Sequence, residues 1–197
     1  GFTVVTEGLH DVALLQAILN ISSEDPKIKF VAAGGWSSAD SLARSYLVSG
    51  GTKVVLVVDA DSSDTNQVEA RRNFLKGSLG EIASPTMWTV VVIAPEIEAL
   101  LFQDRKVIEA IAGRPVSDTE FVTGSFEPKR VLQQLLRGKP LTEVYTRMLK
   151  DLDLTRIMEA SPIRELQSMI KGSEIKNGSR RKKDVQQSTA KPGLLRA

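Results

Sequence analysis

Cysteine is absent from all 197 residues. That excludes disulfides, zinc–thiolate centres and a cysteine nucleophile, and it fits a cytoplasmic protein. Histidine occurs once, at His10, so nitrogen-rich metal sites are out of reach. No apolar run approaches the roughly 18 residues needed to span a bilayer. The opening Gly1-Phe2-Thr3-Val4-Val5 has neither the basic segment nor the small-residue cleavage site of a signal peptide. It reads as a strand that begins at once, which suggests a domain excised from a longer protein. A phosphate-binding P-loop is also missing: Gly138-Lys139 lacks the glycine five residues upstream and runs into Pro140. There are no internal repeats.

What remains is ordinary for a globular chain: 42% hydrophobic and 25% charged residues. The net charge of +2 conceals an asymmetry. From Lys171 onward eight basic residues face only Glu174 and Asp184, a local charge of +6, while residues 1–170 carry −4. The stretch 172–197 therefore reads as a basic, flexible tail able to engage a polyanion, or simply as a solvated terminus.

Four short β-branched segments, 2–6, 28–32, 53–58 and 88–93, read as buried parallel strands. Between them, 11–20 and 38–48 carry apolar stripes at helical spacing, and 67–76 is a polar surface helix. Strand and helix alternating in this way predict an open α/β sheet. After Pro95 the pattern changes. An apolar 97–102 precedes helical stretches at 106–112, 128–137, 141–152 and 162–170, broken by Gly and Pro. The expected organisation is an α/β core over 1–103, a helical appendage over 104–171, and the tail.

In open α/β sheets, functional groups gather where strands end and helices begin. Three strand ends here are acidic: Glu7-Gly8-Leu9-His10-Asp11 after the first, Asp59-Ala60-Asp61-Ser62-Ser63-Asp64 after the third, and Glu96-Ile97-Glu98 near the fourth. An extended Asp59-Ala60-Asp61 would deliver two carboxylates to one side. Gly8 would allow a sharp turn after Glu7, placing Asp11 in the first turn of a helix. Converging carboxylates repel one another unless a cation neutralises them, and an all-oxygen donor set favours Mg²⁺ or Mn²⁺ over Zn²⁺. Such clusters serve phosphoryl transfer. One acidic strand end alone is more often a helix cap or a solvated loop; three in one sheet argue for a site. Glu7, Asp11, Asp59 and Asp61 are accordingly expected to converge closely enough to share cations about 4 Å apart.

Glu7-Gly8-x-x-Asp11 followed by Asp59-x-Asp61 resembles the Toprim domain of topoisomerases, bacterial primases and OLD-family (overcoming lysogenization defect) nucleases. The resemblance covers residues 2–103. Gly34-Gly35-Trp36-Ser37 and Pro95-x-x-Glu98 look most like the OLD family and related uncharacterised defence proteins. The resemblance implies a Toprim-like fold and a Mg²⁺- or Mn²⁺-dependent DNA endonuclease. In it, Glu7 is a metal ligand or general base, Asp11, Asp59 and Asp61 are ligands, and Glu98 is a further ligand. Beyond the second aspartate, where Toprim proteins often carry Gly or another Asp, this chain has Ser62-Ser63-Asp64. The resemblance also implies an ATPase outside this segment, and it is compatible with a homodimer.

Lys129 is read either as a cationic contact to the scissile phosphate or as a solvated lysine at a helix start. His10 reads better as a surface residue, Trp36 as core or a base-stacking ring, and Tyr145 as packing in an amphipathic helix. A topoisomerase or primase fragment is the near alternative, and an inactive nucleic-acid scaffold is another. A phosphoacceptor receiver domain is a third, but it would want a lone Asp at strand three and a Lys after Ile93.

Overall fold

A computed structural model describes residues 1–171. The basic tail at 172–197 lies outside the described residues.

Four strands form one all-parallel sheet in the order β2-β1-β3-β4. They are β1 (Phe2–Thr6), β2 (Ile28–Ala32), β3 (Lys53–Asp59) and β4 (Trp88–Ile93). Their composition follows from their position. Val54 to Val58 are all buried because helices cover both faces of the sheet, so the strand has no polar side to show. The crossovers are α1 (Leu9–Leu19), α2 (Trp36–Ser49) and α3 (Thr65–Gly80). Helix α3 extends further than the polar 67–76 stretch indicates. Asp64 caps its first turn by accepting from the N–H groups of Asn66 and Gln67, and Leu75 and Leu79 bury its later turns.

The two faces of the sheet carry different cores. Under α2 and α3 lies a compact cluster including Val5, Ala39, Leu56, Leu75 and Trp88. The other face continues through Val4, Leu14, Leu15 and Val55 into the helices after β4, so that one apolar cluster runs from Phe2 to Leu166. Those helices begin with a 3₁₀ helix (Ile97–Gln103), followed by α4 (Arg105–Ala112), α5 (Asp118–Phe126) and α6 (Pro128–Leu136). Further on come α7 (Thr155–Met158) and α8 at 161–171. The fold is thus α/β with a parallel sheet flanked by helices and a helical C-terminal part, consistent with a Toprim-like arrangement. Among the described residues no helix is long and apolar enough to cross a membrane.

Two differences from the sequence reading matter for the site. The stretch 141–152 is not one α-helix. It is a turn of α-helix (Leu141–Glu143), a π-helical segment (Val144–Met148) and a 3₁₀ turn (Leu149–Asp151). Helix α5, absent from the periodicity reading, starts at a reciprocal cap in which Ser117 Oγ accepts from the Glu120 N–H and Glu120 accepts from the Ser117 N–H. It also requires Gly124, because a Cβ there would sit 1.9 Å from the Phe102 ring.

Candidate active site

The chain leaves β1 to one side to form β2, then crosses to the other side to form β3. The carboxyl ends of β1 and β3 therefore flank a topological switch point, where adjacent loops diverge and leave a crevice. Glu7 follows β1 and Asp59 ends β3. They meet there, with Glu7 Oε1 accepting from the Asp59 N–H at 2.8 Å. Asp59 Oδ1 in turn accepts from the Ile97 N–H at 2.8 Å, which ties the start of the 3₁₀ helix, and hence Glu98, to the same edge.

The loop after β2 shapes the opposite wall. Gly34 and Gly35 both donate to the Glu7 carbonyl, at 2.7 and 3.1 Å. Both have positive φ (89° and 128°), a conformation that favours glycine. Gly8 plays a different part from the one expected of it. Its φ of −137° and ψ of 165° are ordinary extended values, so no sharp turn depends on it. Its N–H donates to Asp11 Oδ2 at 2.8 Å, which fixes Asp11 at the start of α1.

Asp61 also departs from expectation. The chain does not stay extended through Asp59-Ala60-Asp61, because Asp61 sits at a left-handed φ of 54°. Its N–H donates to the Pro95 carbonyl at 2.9 Å. Its side chain turns out to Arg71, at 2.7 Å, and remains 58% exposed. Arg71 from α3 also donates to the Asp59 carbonyl at 2.7 Å and lies 5.3 Å from the centre of the Trp36 ring. The Trp36 ring is half-buried and meets Phe74 edge-on. Asp61 is therefore on the rim, while Glu7, Asp11, Asp59 and Glu98 form the inner group.

The inner group is electrostatically strained. Burial, followed by the charges of Asp11, Glu98 and Glu7, pushes the Asp59 carboxyl up to about 8. Burial likewise raises Glu7, Asp11 and Glu98 above the usual carboxylate range. Like charges in a poorly solvated edge disfavour full ionisation. Two cations bear on them: the charge of Lys129, the second residue of α6, lowers both Asp11 and Glu98, and that of Arg71 lowers Glu7. The Lys129 backbone N–H donates to Glu96 at 3.3 Å, and its side chain is exposed. His10 is exposed beside Asp11.

The expected close convergence on shared cations is not met in the arrangement as it stands. Among the described residues no group of three or more acidic, histidine or cysteine side chains is set to hold a metal ion. The reason is local. Glu7, Asp11 and Asp59 each commit one oxygen to a backbone N–H, and Asp61 is committed to Arg71. The donor chemistry still suits a hard divalent cation, since every ligand is a carboxylate oxygen and the crowded negative charge calls for neutralisation. The pairing of Arg71 with Asp61 was not foreseen from the sequence. An arginine ten residues beyond Asp61 on a polar helix carries no spacing signal of its own.

No family model matches the chain, and no curated protein matches it in sequence. Among solved structures, the fold resembles the C-terminal region of the OLD protein of Xanthomonas campestris pv. campestris. The TM-score is 0.51 at 14% identity, with 90% of this chain and 97% of that chain covered. At that identity the likeness shows the fold.

Proposed function

We propose that this chain is a Mg²⁺- or Mn²⁺-dependent nuclease domain that cleaves DNA phosphodiester bonds, in the manner of OLD-family Toprim proteins. The observation that carries the reading is the inner carboxylate group at the β1/β3 switch point, with Asp59 pushed up to about 8 by burial and by three neighbouring acids. A fold does not keep such a group for stability. The likeness to the C-terminal region of an OLD protein supports the same reading, as does the order Glu7…Asp11…Asp59-x-Asp61 along the chain.

In this reading Glu7, Asp11, Asp59 and Glu98 hold the cations, with Asp61 recruited from the rim. A divalent cation there would supply charge neutralisation at the scissile phosphate and a water of lowered pKa. The chain's own residues do the rest. The Asp59 and Ile97 N–H groups fix the orientation of the Glu7 and Asp59 carboxylates. Lys129 offsets the negative edge and contacts a non-bridging phosphate oxygen. Arg71, held against Trp36, is placed to take a neighbouring phosphate when Asp61 turns inward.

The test is nicking of supercoiled plasmid. Wild-type protein should nick in Mg²⁺ or Mn²⁺ and not in EDTA, and Asp59→Asn should be inactive. Nicking that persists in EDTA, or undiminished nicking by Asp59→Asn, would move the chemistry elsewhere.

A further inference from the structure

Phe74 is 59% exposed on α3 and belongs to neither apolar cluster, since Leu75 and Leu79 are the residues by which that helix enters the core. A single apolar side chain in solvent needs no explanation. This one is held in place. Its ring meets that of Trp36 with 6.0 Å between centroids and 83° between planes, so the two rings brace each other between α3 and α2. Trp36 is the first residue of α2 and directly follows Gly34 and Gly35, whose N–H groups donate to the Glu7 carbonyl. The aromatic pair is thereby tied to the end of β1, where the carboxylates begin.

Arg71 completes the patch. It precedes Phe74 by three residues, on the same side of α3. Its guanidinium lies 5.3 Å from the centre of the Trp36 ring, and its Nη1 donates at 2.7 Å to both the Asp59 carbonyl and Asp61. One cation thus joins the two rings to the acidic edge. A flat apolar face beside a guanidinium matches a nucleotide, which presents a flat base beside a phosphate. Duplex DNA keeps its base faces stacked inside, so only an unpaired base can use such a platform.

We propose that Phe74, braced by Trp36, is a stacking platform for an unpaired base of single-stranded DNA, with Arg71 taking the phosphate of the same nucleotide. This rests on the nuclease reading for the identity of the polymer, and it names the substrate class: DNA that is single-stranded beside the scissile bond. The platform itself requires neither metal nor cleavage.

The experiment is fluorescence anisotropy of a labelled oligothymidylate, and of a blunt duplex of the same length, titrated with the full chain in EDTA at low salt. Phe74→Ala, Phe74→Leu and Phe74→Tyr are compared with wild type, with thermal melts to confirm that each is folded. The wild type should bind the single strand more tightly than the duplex. Phe74→Ala and Phe74→Leu should each weaken single-strand binding about 10- to 100-fold and leave duplex binding unchanged, whereas Phe74→Tyr should keep the wild-type affinity. Full affinity in Phe74→Leu would overturn the platform, by reducing the ring to apolar packing. A loss in Phe74→Tyr equal to that in Phe74→Ala would overturn it as well, and so would a wild type that binds no single strand or prefers the duplex. A protein that passes here but nicks no plasmid in Mg²⁺ or Mn²⁺ keeps the platform and loses the nuclease reading. One that nicks but shows no effect of Phe74 keeps the nuclease reading and loses the platform.

Discussion

Carboxylates at two places in this molecule are driven in opposite directions. At the start of α5, Glu120 accepts hydrogen bonds from Arg114 and the Ser117 N–H, and its carboxyl is pulled down to about 2. At the ends of β1 and β3, Asp59 is pushed up to about 8 by burial and by other acids. Both positions sit beside a helix start. Glu120 has a cation, a cap and open solvent, so its charge supports the fold. Asp59 has neighbours of its own sign in a closed edge, so its charge works against the fold. A carboxylate that destabilises the structure it belongs to points to something the structure must bind.

The largest effect should come from removing that charge. Asp59→Asn should cut metal-dependent cleavage by at least about a hundredfold, the upper range for loss of a mere supporting group, while raising the melting temperature in EDTA at pH 8. In the fold Asp59 keeps its proton up to about pH 8, whereas its ordinary value is 3.8. Its contribution to stability is therefore complete below about pH 4 and is lost as pH rises from there to about 8. The wild type in EDTA should melt progressively lower across that window, and Asp59→Asn should flatten the trend. Each kcal/mol relieved is worth about 2–4 °C.

Next in size is a packing effect on the other side of the comparison. Gly124→Ala would push a methyl group into the Phe102 ring. It should destabilise the protein by about 1–3 kcal/mol or more, visible as a lower denaturant midpoint. Because the 3₁₀ helix carries both Phe102 and Glu98, Mn²⁺ affinity should fall along with stability. An unchanged midpoint would mean that α5 can shift away from the 3₁₀ helix freely.

The smallest effect belongs to Glu120. Its pair with Arg114 is solvent-exposed, so Glu120→Gln should lower the melt only slightly at pH 7. The gap between wild type and variant should be full above about pH 4.5 and close as pH falls toward 2, the reverse of the Asp59 trend. Parallel pH trends for the two variants would erase the distinction between the sites.

Much of this arrangement was legible in the residues. The four β-branched runs match β1 to β4 closely, because strands buried on both faces must be apolar throughout. Glu7, Asp11 and Asp59 were legible as strand-end acids that the fold brings to one edge. Asp61 was read wrongly in its direction: the same-side rule assumes an extended backbone, and a left-handed residue breaks it. Helix α5 escaped the periodicity reading since Asp118-Thr119-Glu120-Phe121-Val122-Thr123-Gly124 lacks an apolar stripe, although Ser117-x-x-Glu120 marked its start. Tyr145 was read as packing, and it is fully buried in the large apolar cluster, though on a π-helical turn rather than in the amphipathic α-helix expected there.

The central claim is that the acids at the β1 and β3 ends form one charged group that a divalent cation neutralises. Titrating Mn²⁺ calorimetrically at pH 7, in two buffers of different ionisation enthalpy, tests it most directly. With Asp59 protonated at that pH, binding should displace about one proton per protein, and Asp59→Asn should bind weakly with no proton release. Absence of Mn²⁺ binding, or binding without proton release that Asp59→Asn leaves untouched, would contradict the account.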